Sequence, residues 1–220
     1  MKETGKIHPS GVIFDMDGLM LDTEAPAIPL WAKAARPYGY DISPAVVLRT
    51  IGIDTEGSGR IFTGEYGADF PFESVRDDFR LLLMEEFDKG ITQKPGLGFL
   101  LDRLDSLGIP LAVATSTRRE SALWKLQKGG IEGRFAAMVC GDEIKRGKPA
   151  PDIFLLAAEK LGKKPSDCVG FEDSSPGLRG LYDAGIRSVF VKDLVTPPPE
   201  VLALAWRVFP DLAQAAEIFA

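Results

Sequence analysis

Short runs of apolar residues alternate along the chain with longer segments of helical periodicity. Five of the runs are continuously apolar, which is typical of strands in a parallel sheet that helices cover on both faces. They are Val12 to Phe14, Leu111 to Ala114, Ala136 to Cys140, Cys168 to Phe171 and Ser188 to Val191. Between them, apolar stripes from Leu97 to Leu107 and from Phe154 to Leu161 predict helices, each followed by a glycine. This alternation predicts an α/β fold with a doubly wound, Rossmann-like parallel sheet.

The alternation stops between about Thr23 and about Gly90, where the sequence offers no convincing buried strand. Apolar positions from Phe72 to Phe87 predict a long amphipathic helix there, and those from Ile28 to Tyr38 predict an earlier one. Several glycines between these two helices predict loops and short turns. They are Gly52, Gly57, Gly59, Gly64 and Gly67.

The chain is therefore predicted to contain two domains. An α/β core domain comprises residues 1–22 and 91–220, and an inserted all-helical domain comprises residues 23–90. Within the core domain, the C-terminal stretch from Val201 is predicted to hold one further short strand near residues 206–209 and a closing helix.

Composition places the chain among ordinary soluble globular proteins. It has 220 residues, of which 45% are hydrophobic and 26% charged, and a formal net charge of −6, which argues against a nucleic-acid or anionic-membrane surface. Cys140 and Cys168 lie in apolar runs and are predicted to be buried thiols. The single histidine, His8, lies in a polar N-terminal segment, which disfavours a zinc site or a histidine-based triad. No apolar run approaches the roughly 18 residues of a membrane helix, and we expect a cytoplasmic protein.

Polar residues follow four of the predicted strands, at the point where each strand ends. The first strand leads into Asp15 and Asp17, whose carboxylates repel each other unless a cation lies between them or one is protonated. Taken alone, this segment with its Gly18 is explained equally well as a solvated turn. Thr115 ends the second strand just before a helix start at residues 118–119, which is typical of a phosphate cradle or of an ordinary helix cap.

The third strand is followed by a basic cluster, and the fourth by adjacent acids. We expect Lys145 and Arg146 to be solvated, whereas Lys148 can place a cation in the crevice at the sheet edge. Glu172 and Asp173 are costly side by side without a counter-charge, and a helix cap does not account for both. Ligands of open parallel sheets bind outside the carboxyl ends of the strands. The four strand ends together therefore predict a site for a magnesium-bound phosphate group.

Four motifs occur in order along the chain: Phe14-Asp-Met-Asp-Gly18, Thr115 after an apolar strand, Gly147-Lys-Pro-Ala-Pro-Asp-Ile-Phe154 and Gly170-Phe-Glu-Asp-Ser-Ser-Pro-Gly177. Together they resemble the haloacid dehalogenase superfamily, in particular its phosphatase and beta-phosphoglucomutase-like branch, over nearly the whole chain. The resemblance implies that the insert is a cap domain. It also implies a magnesium-dependent phosphatase that hydrolyses a small phosphorylated metabolite, a sugar or polyol phosphate, through an aspartyl-phosphate. We expect no nucleic-acid or membrane partner and a monomer, with a homodimer as the alternative.

The resemblance implies a role for each site residue. Asp15 is the expected nucleophile, and Asp17 the general acid and then the general base. The expected catalytic residues are Asp15, Asp17, Thr115 and Lys148. The expected phosphate and substrate contacts are Gly18, Thr115, Ser116, Thr117, Arg118 and Lys148, with Thr117 and Arg118 nearest the distal part of the substrate. The expected magnesium ligands are Asp15, the carbonyl of Asp17, Asp173 and, directly or through a second layer, Glu172.

The insert departs from the mutases of this branch. The histidine that helps to orient the general acid in a mutase falls at or near Ala27, and the turn at residues 52–55 has no basic residue to hold a second phosphate. Arg49 and Arg60 are available for a distal group, although exposed arginines are usually solvated. We therefore predict a phosphatase, with a phosphosugar mutase as the first alternative and a non-catalytic phosphate-sensing protein as the second.

Overall fold

The computed structural model describes residues 6–53 and 55–220. These residues form two compact units, a core unit of residues 6–21 and 92–220 and a helical unit of residues 22–91. In the part of the chain so described, no helix has both the length and the apolar character needed to cross a bilayer. Asp54, in the turn singled out in the sequence, lies outside the described residues.

A parallel sheet forms the centre of the core unit. Its strands are β1 (Gly11–Phe14), β2 (Leu111–Thr115), β3 (Ala137–Cys140), β4 (Cys168–Glu172), β5 (Arg187–Val191) and β6 (Arg207–Phe209). Within the described residues these six strands have the order β3-β2-β1-β4-β5-β6, and all neighbours are parallel. Every residue of β1, β2 and β4 is buried, which explains why these strands are continuously apolar in sequence. The predicted fold class is confirmed.

The helical unit packs around a cluster of aromatic rings. Its helices are α1 (Ala27–Ala35), α2 (Pro44–Leu48), α3 (Thr55–Tyr66) and α4 (Phe72–Asp88), with a 3-10 turn at Arg36–Tyr38. Trp31 of α1 stacks on Phe79 of α4 with ring centroids 4.2 Å apart, and Phe62 of α3 is fully buried against Trp31 at 4.6 Å. The unit therefore has an apolar core of its own.

Helix α3 corrects the prediction of loops at Gly57, Gly59 and Gly64, which all lie inside it. Glycine is a poor helix former, but the burial of Phe62 on this helix outweighs that preference. The missing side chain at Gly59 also permits close packing, since a Cβ there would lie 3.1 Å from the ring of Phe72. Gly52 and Gly67 do lie in turns, with φ of 73° and 98°. The short helix α2 was not predicted, although Ser43 caps it and Pro44 begins it.

Helices flank the sheet of the core unit. They are α5 (Leu97–Ser106), α6 (Arg119–Lys128), α7 (Asp152–Lys160), α8 (Ser175–Asp183), α9 (Pro199–Leu202) and α10 (Leu212–Ala215), with 3-10 turns at Glu132–Arg134, Gly141–Glu143, Pro165–Asp167 and Ala216–Ile218. The predicted helices over 97–107 and 154–161, the short strand near 206–209 and the closing helix are confirmed, whereas α9 was not predicted. Cys140 and Cys168 are buried thiols as predicted, and burial raises the pKa of each to about 11.

Candidate active site

Asp15 follows β1 directly, between two neighbouring strands. Phe14 lies beside Val113 of β2 and beside Phe171 of β4, and the amide of Asp15 donates a hydrogen bond to the carbonyl oxygen of Phe171. This register carries Asp15 to the carboxyl edge of the sheet, beyond the last apolar residue of its strand. The side chain is nevertheless buried, because Asp15 is only 7% exposed.

Lys148 joins the ends of β1 and β4 through its ammonium group. The Nζ atom donates hydrogen bonds to Oδ1 of Asp15 and, at 2.6 Å, to Oε1 of Glu172. The ring of Phe154 lies with its centroid 4.9 Å from Nζ, on the first turn of the helix that follows. A buried ammonium is tolerated here because two carboxylates compensate its charge. Lys148 thus supplies the cation that the sequence predicts at this edge.

Three acidic side chains form a cluster around this lysine. Asp15, Glu172 and Asp173 are all buried, and each offers a carboxylate oxygen within 4.8 Å of those of the other two. One ammonium leaves a deficit of positive charge beside three carboxylates. The cluster also presents only oxygen ligands, which a hard divalent cation such as Mg²⁺ prefers. The residues therefore fit a divalent metal site.

Glu172 differs from the other two acids because hydrogen bonds already engage both of its oxygens. Oε2 accepts from the amides of Asp173 and Ser174, each at 3.0 Å, and from the hydroxyl of Ser174 at 2.9 Å. Oε1 accepts from Lys148. Ser174 in turn caps α8, since its Oγ accepts from the amide of Gly177 at 3.1 Å. Glu172 is thus fixed by the start of the helix that follows its strand.

The first turn of α8 approaches Glu172 so closely that only glycine fits at position 177. A Cβ added to Gly177 would lie 1.8 Å from Oε1 of Glu172 and 2.4 Å from Oε2. Gly177 was not among the predicted site residues. A glycine placed inside the first turn of a helix is the signal that could have indicated such an approach.

The electrostatics of the cluster follow from its burial. Burial raises the pKa of Asp15 to about 7, against the opposing effect of Lys148, and the charges of Glu172 and Asp17 raise it further. Burial lowers the pKa of Lys148, but the charges of Asp15 and Glu172 and its hydrogen bonds to them have the larger effect. The pKa of the lysine is therefore raised above its usual value. The lysine therefore stays protonated, and full ionisation of Asp15 near neutral pH calls for additional positive charge.

Asp17 contacts two residues of the segment that follows β2, Thr117 and Lys125. Its Oδ2 accepts a hydrogen bond from the hydroxyl of Thr117 at 2.7 Å, and its Oδ1 accepts one from Nζ of Lys125 at 2.6 Å. The chain turns immediately after it at Gly18, which has a φ of 81° and donates its amide to the carbonyl of Leu21. Lys125 was not among the predicted site residues, because a lysine in the polar stretch of α6 is typical of a solvated face.

The loop between β2 and α6 carries the predicted phosphate cradle. Thr115 ends β2 and is 1% exposed, and its Oγ1 accepts the amide of Thr117 at 3.1 Å, which leaves its O–H able to donate elsewhere. The backbone of the exposed Ser116 packs closely against Gly141, because a Cβ at position 141 would lie only 2.2 Å from the Ser116 carbonyl oxygen. Helix α6 begins at Arg119, whose amide donates a hydrogen bond to Oδ1 of Asp142 at 3.0 Å.

The remaining basic candidates lie on the surface or in ion pairs. Arg118 is exposed at the N-cap position of α6, while the hydroxyl of Thr117 is engaged by Asp17. In the helical unit, Arg49 pairs with Glu65 at 2.9 Å and Arg60 pairs with Glu56 at 2.5 Å. In the core unit, Lys145 is exposed, and Arg146 is exposed and pairs with Asp152.

A model of the haloacid dehalogenase-like hydrolase family matches residues 12–191 of the chain. The match begins in β1, just before Asp15, and ends with β5, so it includes the whole acidic cluster and Lys148. The chain belongs to the haloacid dehalogenase-like hydrolase family. The resemblance seen in the motifs is thereby confirmed, and so is the prediction of an enzyme.

Relatives of this hydrolase include named phosphatases. The chain is 33% identical over 184 residues to the "Phosphorylated carbohydrates phosphatase" of Thermotoga maritima, covering 81% of this chain and 83% of that protein. It is 32% identical over 197 residues to the "Fructose-1-phosphate phosphatase YqaB" of Escherichia coli, and the match covers 83% of this chain and 96% of that protein. Among solved structures, the beta-phosphoglucomutase of Clostridium difficile is similar, with a TM-score of 0.75, 26% identity and coverage of 94% and 93%.

Proposed function

We propose that this hydrolase is a magnesium-dependent phosphatase that acts on small phosphorylated metabolites of the sugar or polyol phosphate class. The observation that carries the proposal is the buried carboxylate of Asp15, hydrogen-bonded to Lys148 and clustered with Glu172 and Asp173. A nucleophile, a cation for the phosphoryl oxygens and oxygen ligands for a metal are what phosphoryl transfer to a carboxylate requires. The names of the Thermotoga and Escherichia relatives support the substrate class.

In the first half of the reaction, Asp15 attacks the phosphorus atom in line with the ester oxygen. A bond forms between a carboxylate oxygen of Asp15 and phosphorus, and the bond from phosphorus to the ester oxygen breaks. Asp17 gives its proton to the departing oxygen, so that an alcohol leaves. Lys148 neutralises charge on the phosphoryl oxygens, to which the hydroxyl of Thr115 and the amide of Ser116 donate hydrogen bonds.

In the second half, a water molecule attacks the phosphorus of the aspartyl-phosphate. Asp17, now ionised, takes a proton from this water, and the bond between Asp15 and phosphorus breaks. Inorganic phosphate leaves, and both aspartates return to their starting state. Asp15, Asp173 and the carbonyl of Asp17 would hold the magnesium ion, which would supply the positive charge that lets an anionic nucleophile approach an anionic phosphoryl group.

Glu172 serves in this proposal as a support for the site rather than as a direct metal ligand. Its two oxygens already accept four hydrogen bonds, from Lys148, Asp173 and twice from Ser174. A carboxylate engaged in this way orients its donors, as the outer layer of a metal site commonly does. Glu172 therefore fixes Lys148 and the backbone next to Asp173.

A phosphosugar mutase is the alternative, supported by the structural similarity to a beta-phosphoglucomutase. Two features of the helical unit favour hydrolysis. The residue at or near the position of the mutase histidine is Ala27, whose methyl group cannot orient a general acid by hydrogen bonding. Arg49 and Arg60, the arginines available for a distal group, are paired with Glu65 and Glu56.

The test is a panel of sugar and polyol phosphates incubated with the purified protein and Mg²⁺. We expect steady release of inorganic phosphate, loss of that release in EDTA, and no release by Asp15→Asn of unchanged fold. Isomerised sugar phosphate with little free phosphate would support the mutase instead. A folded protein that releases phosphate from no member of the panel would overturn the proposal.

A further inference from the structure

The two contacts of Asp17 differ in origin. Thr117 belongs to the loop that begins with Thr115, so a contact between this loop and the aspartate is expected from the fold. Lys125 is different, because it lies in the second turn of α6, beyond the loop, and reaches back to Asp17 over 108 positions of sequence. Its side chain is only 17% exposed, in a stretch of helix whose composition is typical of a solvated face.

We propose that Lys125 is a positioning residue that holds the carboxylate of Asp17 in the orientation needed for proton transfer. The inference rests on the proposed function, in which Asp17 protonates the leaving oxygen. Lys125 does not touch the reacting atoms in this proposal and acts only through Asp17.

The geometry explains why one contact would not be enough. A carboxylate with a single hydrogen bond can still rotate about its last side-chain bond, and proton transfer requires a defined donor direction. Thr117 binds Oδ2 and Lys125 binds Oδ1, so the two contacts together fix the plane of the carboxylate. Thr117 also donates its amide to Thr115, so the same segment contacts the expected phosphoryl ligand and the acid.

All of these residues belong to the core unit. In the mutase branch, the resemblance assigns part of this orienting task to a histidine of the insert, for which this chain has Ala27 at or near the same position. Lys125 provides an orienting contact from the core unit itself. The inference is therefore specific to residues of this chain and is not implied by the family motifs.

The experiment compares substrates that need leaving-group protonation to different degrees. The probes are fructose 1-phosphate, which must leave as an alcohol, and 4-nitrophenyl phosphate, whose phenolate leaves readily without a proton. The value of kcat/KM reports the steps up to departure of the leaving group, so it isolates the acid role of Asp17 from its later role as a base. The variants are Lys125→Met, Lys125→Arg and, as a matched loss of one exposed lysine near the opposite end of the sheet, Lys164→Met.

We expect Lys125→Met to lower kcat/KM for fructose 1-phosphate by about 100-fold, within the range of general-acid contributions, and to lower that for 4-nitrophenyl phosphate by less than about threefold. Lys125→Arg keeps a cationic donor and should recover most of the loss, while Lys164→Met should change neither value. Equal losses on both probes, or no loss on either, would overturn the inference.

The design separates this inference from the proposed function. If the wild-type protein hydrolyses neither probe nor any sugar phosphate of the panel, the proposed function fails. If it hydrolyses both probes and Lys125→Met changes both equally, only the role of Lys125 fails. Should Lys125→Met not fold, as judged by circular dichroism, Lys125→Ala takes its place, because it also removes the donor to Asp17 and alanine favours the helix.

Discussion

At the scale of single residues, the charge balance of the site decides its chemistry, because one ammonium group lies among three buried carboxylates. Lys148 contacts both Asp15 and Glu172, and Asp173 completes a buried cluster of three carboxylates. Burying like charges together costs free energy that a nearby cation offsets. The protonation of Asp15 and the binding of a metal should therefore be coupled.

The first prediction concerns the pH dependence of magnesium binding. The pKa of Asp15 is raised to about 7, so below that pH the metal-free carboxyl is protonated and must lose its proton when Mg²⁺ binds. The apparent dissociation constant for Mg²⁺ should therefore rise by about tenfold for each pH unit below neutral and level off above it. Isothermal titration calorimetry in buffers of different ionisation enthalpy measures both the affinity and the released proton.

The control for this measurement is Asp15→Asn, which should bind Mg²⁺ more weakly and without the same pH dependence. An affinity of the wild-type protein that stays constant across neutral pH would contradict the coupling.

The second prediction separates the two aspartates of the first motif. Asp17→Asn should slow turnover on fructose 1-phosphate by about 100-fold or more, because the amide cannot act as acid or base. Magnesium affinity should change by less than about threefold, since the carboxylate of Asp17 contacts Thr117 and Lys125 and only its carbonyl is the proposed ligand. Turnover assays and calorimetry on the same preparation provide the check. A collapse of magnesium affinity would show that the two roles are assigned wrongly.

At the scale of elements, close approaches between helices and loops decide which residues surround the strand ends. Helix α8 can pack against Glu172 only because residue 177 is glycine, and the turn after β3 can pack against Ser116 only because residue 141 is glycine. Neither glycine has a positive φ, so the requirement is for space rather than for backbone freedom. Substitutions there should act through the site.

The third prediction follows from that packing. Gly177→Ala should lower the free energy of unfolding by about 1–3 kcal/mol, because the new methyl group overlaps a carboxylate that its hydrogen bonds hold in place. Activity should fall with it, since Glu172 supports Lys148. Urea unfolding followed by circular dichroism measures the stability, and phosphate release measures the activity.

Gly98→Ala is the matched control, because Gly98 also lies in the first turn of a core-unit helix, α5, and an added Cβ there would lie 4.0 Å from Oε1 of Gln93, at an ordinary van der Waals distance. It should raise the free energy of unfolding by about 0.5–1 kcal/mol. If Gly177→Ala behaves like Gly98→Ala, the close approach to Glu172 does not constrain the site.

The elements also show which features the sequence could predict. The strands were predictable because burial on both faces leaves a continuous apolar signal. Asp15, Thr115 and Glu172 stand out because each ends or directly follows such a strand, and Lys148 because it belongs to the basic cluster in the loop after β3. Helix α3 was not predictable, because its three glycines disfavour a helix and the packing of Phe62, which stabilises it, is not visible in the local sequence. Lys125 was not predictable either, since its contact spans 108 positions and nothing in the local pattern distinguishes it from a solvated lysine.

At the scale of the whole molecule, the chain contains two units with separate apolar cores. The core unit buries Ile13, Ala112 and Phe154 between its sheet and α7, while the helical unit buries Trp31 and Phe62 among its own aromatic rings. Units with separate cores can open independently, because the contacts that stabilise each lie largely within it. The effect of a core substitution should therefore stay local.

The fourth prediction tests that locality. Phe62→Ala should lower the free energy of unfolding of the helical unit by about 3–5 kcal/mol, because it leaves a large cavity in a packed aromatic core. It should also speed amide hydrogen exchange in residues 22–91. Exchange in β1, β2 and β4 should change little. Hydrogen–deuterium exchange followed by mass spectrometry resolves the two regions. Uniform acceleration over the entire chain would show instead that the two units unfold as one.

The positions of the two cysteines allow opening of the core unit to be measured chemically, separately from the helical unit. Cys140 and Cys168 end β3 and begin β4, and the sequence of the helical unit contains no cysteine. The thiolate is the form that attacks an alkylating reagent, and burial suppresses it in the folded protein by raising the pKa of each thiol to about 11. The rate at which such a reagent labels the protein therefore measures how often the sheet next to Asp15 opens. This rate should not change when only residues 22–91 unfold.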